Sequence, residues 1–355
     1  MSVKIIRIVV ILFLFAAIFG CGKKENKNLS ENNQTQTLTN SDAYKGLEKI
    51  NVGSDKITLQ YKFKKGEKFS YKLTTFSSMD QNVQSDSLKK QKSIQTLVYV
   101  FDIAVLNIDN NNIADLGITI SSVNIDANIN GKSFQYDSKA NNSKEDKMKF
   151  FEYETITNSQ FHAKVNQKGE VTDVSDVMKM VDKLIASQPP QSKKPVTPEQ
   201  KVMIAKNITD SAIKPVTQLL FKEVPDKNIA KDSTWVKRYP STLAVFQLDN
   251  NAKYTVDDFV KLNNTNAVKV GLKLVVKSSG QKQGTENGVS YNFEDPKITG
   301  DGIVFYNLEN GRVLKSESST KVEMNVQVTS KDASQKLKKS TRKDISLNRN
   351  IIELL

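Results

Sequence analysis

The sequence holds one cysteine, Cys21, and one histidine, His162, in 355 residues. A single thiol excludes an intrachain disulfide and a cysteine-ligated metal, so the fold must be stable by packing alone. A single imidazole excludes a histidine-rich zinc site. His162 stands between Phe161 and Ala163 in an alternating run, so it points away from the face that Phe161 occupies. It has no Ser, Cys or Asp beside it in a nucleophile setting. No Gly-x-Ser-x-Gly, P-loop or dinucleotide fingerprint occurs, and Gly300-Asp301-Gly302 is too short to cradle a phosphate. The pairs Asp257-Asp258 and Glu294-Asp295 are adjacent on strand patterns, which sends the two carboxylates of each pair to opposite faces. Asp109 to Asp115 opens like a calcium loop but carries Ile113 and Ala114 where a ligand and glycine belong, so it reads as a turn. These absences leave no catalytic, cofactor-binding or metal residue, and the expectation is a protein that is not an enzyme.

Hydrophobic residues make up only 38% of the chain, and the formal charge is +13. The charges are scattered with acidic residues among them, which suits solubility better than a specific anionic partner such as lipid headgroups, acidic glycans or nucleic acid. The basic tail from Lys331 to Leu355 holds Lys336, Lys338, Lys339, Arg342 and Lys343 without a Tyr or Phe for base stacking. It is expected to form a solvated final hairpin. One uninterrupted apolar run stands out, Ile8 to Phe19, after Lys4 and Arg7. Twelve helical residues at about 1.5 Å each fall short of a ~30 Å hydrocarbon core, so the run reads as a signal peptide. Ile18-Phe19-Gly20-Cys21 resembles the bacterial lipobox. That resemblance implies cleavage after Gly20 and lipidation of Cys21, the membrane contact expected for this chain. It places the protein on the outer membrane, since Gly22 is not the Asp that retains lipoproteins at the inner membrane; periplasmic and surface faces both stay open.

Five segments follow: a signal peptide (1–20), a disordered tether (21–52), a first β half (53–173), a helical insert (174–222) and a second β half (223–355), with one continuous domain spanning both halves left open. The tether is Asn-, Lys- and Thr-rich and has too little apolar surface to offset backbone ordering. Alternation marks strands at Ile57–Phe63, Phe69–Leu73, Ile94–Ile108, Ile113–Ile129, Phe134–Tyr136, Phe150–Ile156 and Phe161–Val165, with Asp80 to Ser93 as a polar loop or hairpin end. Val174, Val177, Met178, Val181 and Ile185 switch to a helical stripe, stopped by Pro189-Pro190. Thr197-Pro198-Glu199-Gln200 is a capping box with proline at its tolerated place, and Pro215 kinks or restarts the helix that follows. Strand patterns return from Trp235, with Asn310-Gly311 as a hairpin turn. The fold class is mainly β with some α: curved antiparallel meander sheets in two related halves, with two helices between them.

The halves carry matching landmarks. Gly66 to Phe69 and Asp232 to Trp235 are each a polar turn running into an aromatic anchor, and Gly169-Glu170-Val171 parallels Gly311-Arg312-Val313. Short turns also recur by chance, so a duplicated β unit stays one of two readings. The lipobox, the Asn-rich tether, Gly66…Phe69-x-Tyr71 and Val224-Pro225…Ile229-x-x-Asp232-x-x-Trp235 together resemble a family of uncharacterised lipoproteins from Bacteroidetes-type bacteria. Lys231 departs from the Gly-Asp-x-Trp step usual there. The resemblance implies architecture and compartment and brings no activity. Asp86-Ser87-Leu88, Asp210-Ser211-Ala212 and Asp232-Ser233-Thr234 are similar to the O-glycosylation acceptor of such bacteria, and each also reads as a cap or turn. The leading expectation is a non-enzymatic, lipid-anchored envelope protein that binds or scaffolds, with a lipid or other hydrophobic ligand as one form and no nucleic acid. By analogy with the lipoprotein-carrier fold, sheet and helices would enclose an apolar pocket of roughly 300–1,000 Å³. A hydrolase of envelope polymers and a purely structural or adhesive module stand beside it.

Overall fold

A computed structural model describes residues 44–53, 56–187, 195–286, 288–331 and 336–355. The leader, Cys21, the tether up to residue 43 and Pro189-Pro190 lie outside the described residues. Fourteen strands form one open sheet, and every pairing is antiparallel. The first half contributes β1 (Lys68–Gln84), β2 (Leu88–Ile108), β3 (Ala114–Ile129), β4 (Lys132–Asp137), β5 (Gln160–Val165) and β6 (Val171–Ser175). The second contributes β7 (Thr234–Leu243), β8 (Phe246–Leu262), β9 (Thr265–Gly280), β10 (Gln283–Glu286), β11 (Val289–Phe293), β12 (Lys297–Asn307), β13 (Val313–Lys331) and β14 (Leu337–Leu354). Their order is β6-β5-β3-β2-β1-β14-β13-β12-β9-β8-β7, with β4 on β3 and the β10–β11 hairpin on β13.

The basic tail is therefore not a peripheral solvated hairpin. As β14 it is the central strand and the seam between the halves, paired to β1 from Tyr71↔Leu354 to Gln84↔Thr341 and to β13 from Lys315↔Glu353 to Lys331↔Leu337. Ile352 is fully buried beside Leu73, its partner on β1. The residues from Asp80 to Ser93 continue these ladders as the ends of β1 and β2, leaving only Ser85–Ser87 for the turn.

The duplicated landmarks correspond in detail. In the first half Gly66 N–H donates to the Val105 carbonyl while Val105 N–H donates to Glu67; in the second, Asp232 N–H donates to Val256 and Val256 N–H to Ser233. Each of these partners precedes a bulge, at Leu106 in β2 and Asp257 in β8. A glycine faces each bulged side chain, Gly117 against Leu106 and Gly271 against Asp257. The β5–β6 and β12–β13 turns repeat as well, with Asn166 N–H donating to the Glu170 carbonyl and Asn307 N–H to that of Arg312. Bulges and turns recur in matching register, as two copies of one β unit would place them. The copies differ in what is inserted. Helices α1 (Lys144–Lys149) and α2 (Phe151–Ile156) stand in the first where β10 and β11 stand in the second.

Phe150 to Ile156 is thus helical and not a strand. Seven residues hold both periods, since Phe151, Tyr153 and Thr155 alternate while Phe150, Tyr153 and Ile156 lie along one helical face. The start signal is Ser143, whose hydroxyl accepts from Asp146 N–H at the head of α1. Helix α3 (Met178–Ala186) begins four residues later than the stripe predicts, because Val174 still belongs to β6; Met180 and Val181 are its buried residues. The capping box at Thr197 opens α4 (Pro198–Ile208) as predicted. A π-turn (Thr209–Ile213) follows, with Lys214 N–H reaching back to the Thr209 carbonyl, and α5 (Lys214–Leu220) starts with Pro215 in its first turn.

One core lies between the sheet and the helices. Tyr71, Phe101, Ile118, Phe161, Val181, Leu220, Phe221 and Tyr306 are all buried in it. The extended segment 57–63 closes one end. Ile57 bridges Ile229, Tyr61 N–H donates to Gln167 and Lys62 N–H to Asn310, so the equivalent turns of both copies meet on this segment. A smaller core of Val260, Leu262, Ala267, Ile303 and Phe305 occupies the opposite face. Residues 44–52 were expected in the tether, but Tyr44 and Leu47 pack against this smaller core and Ile50 and Val52 against the main one. Tyr44 lies on Phe305 at 5.1 Å, and Ile50 N–H donates to Phe259 beside β8, past the end of β7. Tyr44 Oη donates to Glu317, which is buried and paired with Arg349.

Candidate binding site

The expected apolar pocket is nearly filled. Between sheet and helices a cavity of about 20 Å³ remains, lined by Tyr99, Phe101, Ile120, Ile156, Phe161, Ala212, Ile213 and Val216. Roughly one water fits such a volume, and a lipid does not. The large apolar side chains of β2, β3 and β5 fill this space from the sheet, and the π-turn fills it from the helices.

A larger cavity, about 360 Å³, lies on the other face where β1, β14, β13 and β11 run side by side. Strand register explains its lining. Gln84, Thr341, Gln327 and Asn292 form one cross-strand rank, because Gln84 pairs with Thr341, Thr341 with Gln327 and Gln327 with Asn292. Asn82, Lys343 and Asn325 form the next rank, which Glu294 completes by accepting from Asn325 Nδ2 at 2.8 Å. Neighbours within a rank stand about 4.8 Å apart and the ranks about 7 Å apart. Val83 and Phe293 alternate with these ranks, while Val326 and Arg342, the latter paired with Asp344, complete the lining. Five side-chain amides, a hydroxyl, one carboxylate, the Lys343 ammonium and the Arg342 guanidinium thus line a sheet floor. Each amide both donates and accepts. Such a surface matches a ligand that does the same at many points.

The residues weighed in the sequence fall elsewhere. His162 points away from Phe161 as expected, with Nδ1 3.3 Å from Asp115 and 3.6 Å from Asp176. Asp257 and Asp258 do not diverge: the bulge at Asp257 leaves Asp257 by Lys269 and Asp258 by Lys49 and Lys231 on one face. Burial raises the Asp257 carboxyl above its ordinary value, while the Lys49 hydrogen bond holds that of Asp258 below its own. The Lys49–Asp258 ion pair fastens residue 49 to the sheet. Asp109 caps its own turn, accepting from Asn111 and Ile113 N–H. Trp235 anchors the start of β7, stacked on Tyr254 at 5.2 Å. Of the glycosylation-like triplets, Asp232 sits in a turn and Asp210-Ser211 in the π-turn; Asp86 pairs with Lys338. Cys21 lies outside the described residues. Among the described residues no group of three or more His, Cys, Asp or Glu is placed to hold a metal ion, and no helix is long and apolar enough to cross a membrane.

Two other groups titrate nearer neutrality than usual, and neither lines the polar groove. Burial pushes the Lys222 amine down to about 8 and the Glu152 carboxyl on α2 up to about 7. A carboxyl whose native pKa exceeds its unfolded value stabilises the fold in its protonated form. The contribution is complete below the unfolded value of 4.5 and is lost as pH rises through about 7. Glu152→Gln is therefore expected to be more stable than the parent above pH 7 and no more stable below 4.5, a difference read from urea midpoints across that range.

The groove was not singled out from the sequence, although a signal exists: Asn82-Val83-Gln84 and Asn325-Val326-Gln327 are the same tripeptide on two strands of its floor. A search of curated proteins finds no match. Among solved structures the chain is similar to one of lipid–protein interactions in lipovitellin, at 11% identity and a TM-score of 0.43, covering 83% of this chain and 25% of that one. It thus spans a quarter of the lipovitellin chain. Similarity to an outer membrane channel from Pseudomonas putida F1 covers 83% of this chain and 97% of the channel, at 9% identity and a TM-score of 0.16. OccK5 (OpdH) of Pseudomonas aeruginosa gives 7% identity and a TM-score of 0.19, covering 79% of this chain and 98% of the other. The model of a family of unknown function, DUF6263, matches residues 111–348, from within the β2–β3 turn to within β14, and the chain belongs to that family.

Proposed function

We propose that this protein is a lipid-anchored envelope protein of the outer membrane with a non-enzymatic binding role, and that it holds a hydroxyl-rich ligand such as an envelope saccharide in the amide-lined groove. The groove carries the reading. Its volume of about 360 Å³ lies within the range of small-ligand sites, and its lining offers paired donors and acceptors on a rigid sheet. A hydrolase of envelope polymers would set two carboxylates across such a cleft, and Glu294 is the one carboxylate in this lining. A hydrophobic ligand would have to displace packed side chains from a cavity of about 20 Å³. The anchor rests on Cys21 and the apolar run before it.

A glycan array is expected to select a saccharide class. Calorimetry with the best binder should then show Asn82→Ala and Asn325→Ala each weakening affinity roughly five- to ten-fold, about one hydrogen bond apiece. No glycan retained, or variants that bind like the parent, would remove the groove from the account. Metabolic labelling with a clickable fatty acid tests the anchor separately: the parent should be tagged and Cys21→Ser untagged, and equal labelling of both rejects it.

A further inference from the structure

Two hairpins end side by side at one pole of the sheet. Gln84 pairs with both Leu88 and Thr341, so the β1–β2 turn lies against the outer part of β14, and Lys338 ion-pairs with Asp86 across the two hairpins. Each hairpin presents an exposed leucine among lysines. Leu88 is 51% exposed and precedes Lys89, Lys90 and Lys92; Leu337 is 64% exposed and lies between Lys336 and Lys338-Lys339. Lys89, Lys90, Lys92 and Lys339 are exposed, and none of the four forms an ion pair among the described residues.

An isolated leucine on a surface needs no explanation, but two at neighbouring tips, both ringed by ammonium groups, ask for one surface that accepts both. Single-stranded nucleic acid would supply negative charge but wants aromatic rings to stack on, and the described residues of these tips carry none. The headgroup layer of an anionic bilayer meets both demands. Leucine side chains reach the acyl boundary while flexible lysines extend to phosphates around them. We infer that this pole docks on an anionic membrane surface, with Leu88 and Leu337 inserted and the lysines on headgroup phosphates. Gln84 and Thr341 of the groove lie next to these tips, so docking sets the groove at the membrane surface. The contact is additional to an anchor at Cys21 and does not require one.

The test uses the chain from Gly22 to Leu355, which contains every residue of both cores, with phosphatidylcholine vesicles made with or without phosphatidylglycerol. Sedimentation should show binding to the anionic vesicles alone. Replacing Lys89, Lys90, Lys92 and Lys339 together by Gln should weaken it by roughly ten-fold or more and flatten its salt dependence. Leu88→Ser with Leu337→Ser should weaken it about ten-fold while the salt dependence stays as in the parent. All six sites are exposed, and matching thermal melts verify that the variants fold. Equal binding to both vesicle types, a four-lysine variant that binds like the parent, or retention of a single-stranded oligonucleotide in place of vesicles would each overturn the inference. None of these substitutions replaces a residue of the groove lining, and saccharide binding measured on the same variants separates a failure here from a failure of the saccharide reading.

Discussion

A chain ending at Lys331 is expected to lose its native fold. The deletion removes β14, the strand that joins the two copies of the β unit, and strips β1 and β13 of a partner along most of their length. Both would become long open edges, which proteins ordinarily cover or charge. Fully buried Tyr71 and Leu73 would lose the neighbouring Leu354 and Ile352, and the main core would open along its midline. The truncated chain should be insoluble, or so loosely packed that trypsin degrades it at conditions the parent survives. A smaller change reports on the same seam. Ile352→Ala removes most of a fully buried side chain and should cost about 2–5 kcal/mol in urea unfolding. A truncated protein that kept the parent's cooperative melt would show that the halves stand without their shared strand.

The other large effect concerns the turns that meet on segment 57–63. Gly311 has φ +71°, and a Cβ there would collide with the Gln60 carbonyl and crowd Tyr61 N at 2.9 Å. Its counterpart Gly169 has φ +78°, and a Cβ there would strike the Tyr61 ring and stand 2.9 Å from the Lys222 carbonyl. Gly66 has φ +83° with nothing within 4 Å, so it isolates the conformational part. Gly66→Ala should cost about 1–2 kcal/mol for left-handed backbone alone. Gly311→Ala adds a clash between two backbones that are both hydrogen-bonded, and should exceed roughly 3 kcal/mol. Gly169→Ala is expected to match or approach it. Denaturant midpoints of the three variants check this order, and equal losses at Gly66 and Gly311 would mean that segment 57–63 yields freely.

How far the molecule could be read in advance follows from the range over which each signal acts. Hairpin turns are local, so Asn310-Gly311 was legible, and Gly311 has positive φ. The capping box at Thr197 is local too. Strand order is not. Nothing near Leu337 to Leu354 says that its partners lie some 270 residues back as well as next door, and its lysines argue for the surface by composition alone. The lysines do reach solvent, on the end that projects past β1, while Ile352 at the other end is buried. A strand half in the core and half at a pole defeats any single label. Bulges escape for a related reason. Alternation predicted opposite faces for Asp257 and Asp258, and one extra residue in β8 overrode it. The groove was least legible, since its two ranks draw on four strands and polar alternation ordinarily means a wet face.

The N-terminal attachment has a mechanical consequence. Residues 44–52 hold to the sheet by the Tyr44–Phe305 ring contact, backbone bonds at Glu48 and Ile50, and the Lys49–Asp258 ion pair. A pull on the N-terminus would load these contacts one after another, peeling the segment away before force reached the sheet's long ladders. Nine freed residues add about 30 Å of slack at roughly 3.3 Å each. The segment would then act as a fuse, yielding first while the folded sheet stays whole.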